Sequence, residues 1–323
     1  MNIKCGIVGF PNVGKSTLFN TLIRKNVAEA ANYPFCTIEP NEAIVEVKDN
    51  RLKPLADVYN PEKIIYSCIT FVDIAGIIKG AHKGEGLGNK FLENIRSVNT
   101  IIHVVRCFKD SEVTREGGDV LNNILDVNME LALSDLESIS KQKIKIEAEI
   151  KLMQRQRKQS DVNDRYKLIC DIEKHLLNCV ESGWNALPKE FNCNTNKMVK
   201  AFNLLTTKPM LYVCNIDEDY DENNEDSKKV IEKYGEGNCV VISVKAESYV
   251  LEDEESIGLY RENAYADKEY NGVDKLIKLS YKLLNRISFF TAGEKEVRSW
   301  SVEKDSLAPM AAGKIHTDFE KGF

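Results

Sequence analysis

The stretch GFPNVGKST, from Gly9 to Thr17, lies between the apolar run IKCGIVG and the helix-like run STLFNTLI. A glycine, four residues and then Gly14-Lys15-Ser16 is the spacing of a loop that wraps backbone N–H groups around phosphates. The glycines let the backbone come close to the ligand, and the N-terminus of the next helix attracts its negative charge. Lys15 is expected to reach the β- and γ-phosphates, and the Ser16 hydroxyl to ligate Mg²⁺. The stretch therefore predicts a strand, a phosphate-binding loop and a helix.

The composition is that of an ordinary globular protein. The chain has 323 residues, of which 43% are hydrophobic and 29% are charged, and its net charge is −6. This length allows about two or three domains. The longest apolar runs fall short of the ~20 residues of a membrane span, and the N-terminus enters a strand instead of a signal sequence. We therefore expect a cytoplasmic protein with neither a membrane nor a DNA partner.

Neither the cysteines nor the histidines have the spacing of metal ligands. The nine cysteines include no C-x-x-C pair, and five lie in or beside β-like runs: Cys5, Cys68, Cys107, Cys214 and Cys239. Small buried side chains in a reducing compartment explain them better than disulfides or zinc.

Six short β-like runs recur along the chain with helical segments between them. They are IKCGIVG, AIVEVK, YSCITFVDIAG, TIIHVVRCF, PMLYVCN and NCVVISV. Several are apolar on both faces, which is typical of strands in a parallel sheet covered by helices. We therefore predict a doubly wound α/β domain over residues 1–286, with its ligands at the carboxyl ends of the strands.

The β-like runs are interrupted between about residues 128 and 200. Apolar side chains there follow in steps of three and four, interrupted only at Lys143: Met129, Ala132, Leu136, Ile139, Ile146, Ile150 and Met153. A second helical run follows the polar stretch QRQRKQSDVND and carries Ile169, Ile172, Leu176 and Cys179. The pattern predicts a helical coiled-coil arm that projects from the sheet domain. Two ordinary surface helices packed on the sheet are the alternative.

The last segment, residues 287–323, has a β-like run of its own, VRSWSV. It is shorter than the ~40 residues that usually fold alone. We therefore expect a truncated small domain, with packing against the main domain as the alternative.

Three residues outside the loop are candidates for the phosphate and magnesium site. Thr37, in NYPFCTIEPNE, lies where switch-type P-loop proteins have a threonine that joins Mg²⁺ when the γ-phosphate is present. Asp73 ends the strand run ITFVDIAG, where a carboxylate can hold the magnesium shell. The N–H group of Gly76 is then expected to face the γ-phosphate.

The residue that orients the attacking water does not follow from the usual motif. Ras-like switches have a glutamine after this segment, whereas this chain has Ile77, which has no hydrogen-bonding group. The next stretch, KGAHKGEGLGN, contains four glycines and is predicted to be a mobile loop. Its His82 is the candidate catalytic residue, and an exposed loop histidine is the alternative.

The choice of base depends on CNIDE, from Cys214 to Glu218, which follows a strand as the N-K-x-D motif of GTPases does. Asn215 is retained, but Ile216 replaces the lysine and Glu218 replaces the aspartate. Guanine selection needs a well-placed carboxylate, and glutamate is one methylene longer than aspartate. An asparagine amide can serve adenine, and Ile216 can pack on the base face. The segment SVKAE, from Ser243 to Glu247 after the next strand, is expected to supply backbone contacts to the base, with Ser243 as the candidate residue.

Taken together, these motifs resemble the YchF, or Obg-like ATPase, family of P-loop proteins. The resemblance rests on GFPNVGKST, NYPFCTIEPNE, DIAGIIKGAHKGEGLGNKF, NIDE, FFTAGEKEVRSW and AAGKIHTDFEKGF. These segments span essentially the whole chain, and the last two are similar to the family's ubiquitin-like TGS domain. The resemblance implies an adenine-preferring site despite GTPase ancestry, a coiled-coil insertion and association with ribosomes.

The family motifs imply roles for particular residues of this chain. Ser16 and Thr37 would bind magnesium, Ile216 would bind the base, and the phosphates would be bound by Asn12, Val13, Gly14, Lys15, Ser16 and Thr17. Many relatives have a histidine after the strand HVVRCF, sometimes assigned a catalytic role. The stretch SEVTREGGD offers Thr114 instead, so that role is not carried over. The TGS domain normally continues beyond DFEKGF, so its last part is expected to be missing.

We therefore expect a Mg²⁺-dependent, slow ATPase that acts as a conformational switch on the translation machinery. A GTPase, or a switch that uses both nucleotides, is one alternative, because Glu218 or Asp217 could still reach guanine. An ATP-sensing interaction protein with little turnover is the other alternative.

The predicted arm carries a local excess of positive charge on an acidic protein. Residues 141–158 include seven basic and two acidic side chains. Such a stretch suits docking to phosphates of ribosomal RNA in the large subunit, with Arg155, Arg157 and Lys158 near the hairpin tip. A solvated helix face is the alternative.

Overall fold

The computed structural model describes residues 3–29, 41–74, 87–109, 119–153, 160–182, 197–218, 224–250 and 272–323. The strands in these ranges are β1 (Lys4–Val8), β2 (Glu42–Val47), β3 (Lys63–Ile65), β4 (Ser67–Asp73), β5 (Thr100–Arg106), β6 (Met210–Asn215), β7 (Cys239–Ile242), β8 (Arg286–Ala292) and β9 (Glu296–Glu303). The helices are α1 (Lys15–Glu29), α2 (Leu52–Tyr59), α3 (Leu87–Ser97), α4 (Val120–Met153), α5 (Ser160–Ser182), α6 (Lys197–Phe202), α7 (Glu225–Tyr234), α8 (Val244–Val250), α9 (Gly272–Leu283), α10 (Ala308–Ile315) and α11 (Thr317–Lys321).

Across the described ranges, the main sheet has six strands in the order β2-β4-β1-β5-β6-β7. β1 pairs in parallel with β4 and β5, and β6 pairs in parallel with β5 and β7. These strands lie in the six β-like runs, so the predicted α/β sheet is confirmed. The five parallel strands end at one edge of the sheet, at Val8, Asp73, Arg106, Asn215 and Ile242.

β2 departs from the predicted parallel arrangement. It pairs antiparallel with β4, with Ala43 opposite Phe71 and Val45 opposite Ile69. Its burial alternates, because Ala43, Val45 and Val47 are in the core while the residues between them are half-buried. This alternation is typical of an antiparallel strand with one face on the core.

The segments on both sides of the phosphate-binding loop are anchored in the core. Val8, at the end of β1, and Leu18 and Leu22, in α1, are fully buried in the main apolar cluster. Every residue of β5, which lies beside β1, is also buried. The loop between β1 and α1 is therefore held at both ends by rigid packing.

α4 and α5 form the predicted helical hairpin. The hydroxyl of Tyr166 donates to Glu147 at 3.0 Å, and Lys143 pairs with Glu173. The contact residue with the higher number on α4 therefore meets the one with the lower number on α5. The two helices are therefore antiparallel. α4 begins at Val120, earlier than the predicted start near residue 128, and its first turns pack on the sheet.

The interruption of the apolar pattern at Lys143 has a structural reason. Nζ of Lys143 lies 2.5 Å from a carboxylate oxygen of Glu173 on α5. This carboxylate raises the pKa of Lys143, mainly through the hydrogen bond. The apolar contacts continue on both sides of the pair, with Ile139 and Ile146 buried against Ile169 and other residues of α5. An ion pair at this position favours one register of the two helices.

A second sheet has the order β3-β9-β8. β8 and β9 form an antiparallel hairpin within the last segment, but β3 comes from the first half of the chain and pairs in parallel with β9. α2 also contacts β8 and β9. Residues before 286 therefore complete this sheet, and the predicted boundary at 286/287 separates segments that share it. The assignment of residues 287–323 to a truncated TGS domain stays a prediction.

No helix in the described part of the chain is both long and apolar enough to cross a membrane. The seven cysteines in these ranges are free thiols, and burial raises the pKa of Cys5 to about 12. No group of three or more His, Cys, Asp or Glu side chains in the same ranges could hold a metal ion.

Candidate nucleotide-binding site

The loop between β1 and α1 has the backbone of a phosphate cradle. Gly9 and Gly14 have φ angles of 153° and 97°, and Asn12 has a φ of 60°. Glycine adopts such angles without a steric penalty, and asparagine tolerates the left-handed region better than most residues. A Cβ atom on Gly14 would lie only 2.4 Å from Nδ2 of Asn215. Both the angle and the space therefore require glycine at position 14.

Lys15 lies across this loop. Its Nζ donates a hydrogen bond to the carbonyl oxygen of Phe10 at 2.6 Å, and its exposed fraction is 9%. Burial lowers the pKa of Lys15, while the negative charge of Asp73 raises it. The ammonium group is thus held at the inner side of the cradle, where it can meet phosphate oxygens.

Ser16 and Asp73 offer oxygen atoms that suit Mg²⁺. Ser16 is exposed at the start of α1, and Asp73 is half-buried at the end of β4, whose partner β1 leads into the loop. Burial raises the pKa of Asp73, and the positive charge of Lys15 lowers it. Mg²⁺ is commonly bound by one or two such side chains together with phosphate oxygens and water. The donor set therefore fits a nucleotide-bound magnesium ion.

A pocket of about 450 Å³ opens beside the loop, at the carboxyl edge of β5 and β6. It is lined by Asn12, Gly14, Thr17, Phe108, Lys109, Asn215, Ile216, Asp217, Glu218, Val244 and Lys245. The predicted phosphate-side and base-side residues therefore meet in one cavity, next to the cradle. Its volume lies in the range of small-molecule sites.

Asn215 ties the two sides of this pocket together. Its Nδ2 donates to the carbonyl oxygen of Val13 in the loop at 3.0 Å, and its Oδ1 accepts from the N–H of Val244 at 3.0 Å. The side chain is buried, with 6% exposed. The amide that was predicted to contact the base therefore braces the phosphate loop against the start of α8.

The carboxylates next to Ile216 are both engaged with other groups. The backbone N–H of Lys109 donates to the Asp217 carboxylate, at 3.0 and 3.3 Å from its two oxygens. The Glu218 carboxylate forms an ion pair with Nζ of Lys245, and both residues line the pocket. Neither carboxylate is therefore presented to the pocket without a positive or N–H partner.

Phe108 is a pocket residue that the sequence reasoning did not include. It follows β5, and the guanidinium of Arg106 lies over its ring at 4.4 Å from the ring centre. The signal that could have found Phe108 is its position, because it follows the carboxyl end of a parallel strand. Val244 and Lys245, which also line the pocket, belong to the segment SVKAE that was expected to contact the base.

Other predicted site residues have different positions. Ser243 is fully buried outside the pocket lining, and its hydroxyl oxygen accepts from the N–H of Ala246 at 3.3 Å, at the start of α8. The side chain of Val13 packs in the core, with 4% exposed, so only its backbone faces the loop. Thr37, Gly76, Ile77, His82 and Thr114 lie outside the described residues, as do Arg155, Arg157 and Lys158.

This site has a glycine-rich loop between a central parallel strand and a helix, with the ammonium group of Lys15 and a base-sized pocket beside it. These features define a P-loop nucleotide-binding protein.

Residues 4–135 match the profile of a family described as 50S ribosome-binding GTPase, and residues 286–323 match that of the YchF C-terminal domain, described as a protein of unknown function. Proteins named "Ribosome-binding ATPase YchF" from Haemophilus ducreyi and Bacillus subtilis are 43% and 44% identical; each match covers 100% of this chain and 87% of the relative.

The same relationship is found among solved structures. The YchF GTPase of Schizosaccharomyces pombe is 34% identical and superposes with a TM-score of 0.81, over 100% of this chain and 86% of the other. The chain belongs to the YchF family.

Proposed function

We propose that this protein binds ATP with Mg²⁺, hydrolyses it slowly at the β–γ phosphoanhydride, and uses the cycle as a conformational switch on cytoplasmic ribosomes. The phosphate cradle and the adjoining pocket support the nucleotide part of the proposal. The names of the bacterial relatives, ribosome-binding ATPase, support the choice of nucleotide and of partner.

The preference for ATP over GTP is based on the carboxylates of Asp217 and Glu218, which already have hydrogen-bonding or ion-pair partners. Guanine is selected when a carboxylate accepts hydrogen bonds from its ring N–H and its amine, and the base is rejected when such partners are missing. Asp217 holds the N–H of Lys109, and Glu218 is paired with Lys245. A guanine would have to share one of these carboxylates with the partner that already holds it, whereas adenine makes no such demand.

The apolar surface of the pocket suits an adenine ring. Ile216 is buried, Val244 lies beside it in the lining, and the Phe108 ring is held by Arg106. Aromatic and aliphatic surfaces pack against the faces of a base without needing a specific hydrogen-bonding edge. Selectivity for adenine would then come from the lack of a free carboxylate that could accept hydrogen bonds from the ring N–H and the amine of guanine.

The residues of the cradle supply binding and charge for hydrolysis. Lys15 would bind the β- and γ-phosphate oxygens, and Ser16 and Asp73, with Thr37, would hold the magnesium ion. Magnesium held by these residues would supply positive charge next to the phosphate oxygens. Gly76 would donate to the γ-phosphate, and His82 is the candidate that orients the attacking water.

The choice of base is tested by isothermal titration with ATP and with GTP. We expect tighter binding of ATP, and tighter binding of GTP would contradict the proposal. The double variant Ile216→Lys with Glu218→Asp should shift the preference toward GTP by about 1–3 kcal/mol, because the shorter carboxylate no longer reaches Lys245 and can accept from guanine. Ile216→Lys alone is the matched control, and an equal shift in this single variant would show that the carboxylate has no role.

The outer face of the arm supports contact with a large partner. Ile144 and Leu152 on α4 are 67% and 77% exposed, and Lys145 and Lys151 are exposed near them. Exposed apolar patches with a rim of polar residues mark interaction sites on protein surfaces. We propose that this face of α4 contacts the ribosome, with the lysines near RNA phosphates.

Co-sedimentation with ribosomes across a salt series tests the arm. Lys145→Gln with Lys151→Gln should weaken binding and reduce the salt slope by about 1–2 units, because fewer counterions are released from the RNA. Lys275→Gln with Lys282→Gln, two exposed lysines on α9, is the matched control. If both double variants sediment like the unaltered protein with the same salt slope, the arm is only a solvated hairpin.

A further inference from the structure

We propose that Glu247 is a positioning residue for the base side of the nucleotide pocket, which it holds by joining α8 to the N-terminus of α9. This inference rests on the proposed nucleotide-binding function. The backbone of the segment SVKAE, which follows β7 and ends at Glu247, was expected to contact the base, but the side chain of Glu247 was not assigned a role.

The contact that carries the inference is buried. Oε1 of Glu247 accepts a hydrogen bond from the N–H of Gly272 at 2.6 Å, and Glu247 is 7% exposed. Gly272 is the first residue of α9, where the backbone N–H groups lack partners within the helix. A carboxyl oxygen at this point satisfies one of them, whether the group is charged or protonated.

The packing around this contact leaves no freedom. A Cβ atom on Gly272 would lie 2.9 Å from Oε1 of Glu247 and 2.8 Å from Cγ1 of Ile242. Any larger residue at 272 would therefore push the carboxyl group of Glu247 or the side chain of Ile242 away. The close approach indicates that the distance between α8 and α9 is set at this point.

Glu247 is connected to the pocket through one helical turn. Its N–H donates to the carbonyl oxygen of Ser243 at 3.0 Å, which starts α8 directly after β7. Val244 and Lys245, in the same turn, line the pocket, and Val244 also donates to the brace residue Asn215. A shift of Glu247 would therefore move the wall that faces the base.

Two further charged groups face Glu247 from neighbouring helices. Lys25 of α1 and Asp274 of α9 form an ion pair at 2.5 Å, and Lys25 is 5% exposed. Burial is the main cause that raises the pKa of Glu247, to about 7; Asp274 raises it further, and the Gly272 N–H and Lys25 lower it. The arrangement therefore joins the helix of the phosphate loop, the base-side helix and α9 in one buried cluster.

The sign of the pH dependence follows from linkage. Because the pKa of Glu247 is higher in the packed arrangement than in an open one, protonation favours the packed arrangement. Its contribution is fully present below the ordinary glutamate pKa and is lost as the pH rises through about 7. The affinity for ATP should therefore contain a part that declines between pH 6 and pH 8.

The test measures the dissociation constant of Mg·ATP at pH 6 and pH 8 for the full chain and for three variants. Glu247→Gln keeps an acceptor oxygen without the charge, so the ratio of the unaltered protein's constant to that of this variant should rise about 3- to 10-fold from pH 6 to pH 8. Glu247→Ala should bind about 10-fold more weakly at both pH values, because the N–H of Gly272 loses its partner. Glu236→Gln, an exposed glutamate, is the matched control and should leave affinity and pH profile unchanged.

Two results would overturn the inference. The first has two parts. The ratio of the dissociation constants of the unaltered protein and Glu247→Gln is the same at pH 6 and pH 8, and Glu247→Ala binds Mg·ATP within twofold of the unaltered protein. If Glu247→Ala does not fold, Gly272→Ala takes its place and is expected to show the same loss. The second is a chain that binds no ATP at all, which would also overturn the proposed function, whereas normal ATP binding with no effect at 247 would overturn this inference alone.

Discussion

Lys15→Ala is expected to lower the affinity for ATP by at least about 100-fold. The lysine is held inside the cradle by the carbonyl of Phe10, with its charge opposite Asp73. Charge-assisted hydrogen bonds contribute about 1.5–3 kcal/mol each, and Lys15 is placed to make two with the β- and γ-phosphates. Every 1.4 kcal/mol corresponds to a tenfold change in the dissociation constant.

Titration calorimetry with Mg·ATP measures the effect of Lys15→Ala directly. Lys53→Ala, which removes an exposed lysine on α2, is the matched control and should bind ATP as the unaltered protein does. Circular dichroism at the same temperature checks that both variants are folded. An affinity of Lys15→Ala within threefold of the unaltered protein would show that the phosphates bind elsewhere.

Asn215→Ala is expected to reduce both stability and nucleotide affinity. The substitution removes the hydrogen bonds to the carbonyl of Val13 and from the N–H of Val244. Each buried backbone group left without a partner costs about 1–3 kcal/mol, so the loss of both partners should lower the free energy of unfolding by about 2–6 kcal/mol. The affinity for ATP should fall by at least about tenfold, because the phosphate loop and the base wall are no longer held together.

Urea unfolding and ATP titration of two asparagine variants separate a brace from an ordinary hydrogen bond. Asn238→Ala removes one exposed bond to the carbonyl of Tyr234 and should cost less than about 1 kcal/mol, with no change in affinity. Asn215→Asp keeps the acceptor for Val244 but sets a buried carboxylate oxygen against the carbonyl oxygen of Val13, so it should cost at least as much stability as Asn215→Ala. Equal effects of the substitutions at 215 and 238 would contradict the brace.

The elements that could be predicted from the sequence are those whose signal is local. The phosphate cradle is visible because its glycines, lysine and serine must occur at fixed spacing within nine residues. The five parallel strands of the main sheet are visible because burial on both faces requires continuous apolar runs. The hairpin arm is visible because its apolar residues repeat with helical spacing over several turns. The resemblance to the YchF family was visible in short motifs of the same kind, and the relatives match over the whole chain.

The partners of single polar side chains could not be predicted in this way. Lys143 interrupts an apolar pattern, and only its contact with Glu173 on the facing helix explains it. Asn215 belongs to a base-reading motif, yet its amide holds the two loops together. Glu247 has no visible signal, because its partner Gly272 is 25 positions away in the chain.

The sequence pattern also did not predict the direction of β2 or the pairing of β3 with the last segment. An alternating run such as β2 is compatible with either direction until its neighbour is known, and here it lies antiparallel to β4. β3 is three residues long and has no periodicity of its own, yet it completes the sheet of the last segment by pairing with β9.

Residue order alone therefore established an α/β nucleotide-binding chain with a helical insertion, because spacing and periodicity are properties of neighbouring residues. The three-dimensional packing decided which carboxylates remain available to a base, which amide braces the loop and which strand completes the second sheet. These outcomes depend on groups far apart in the chain, because their interactions form only when folding brings them together and buries them.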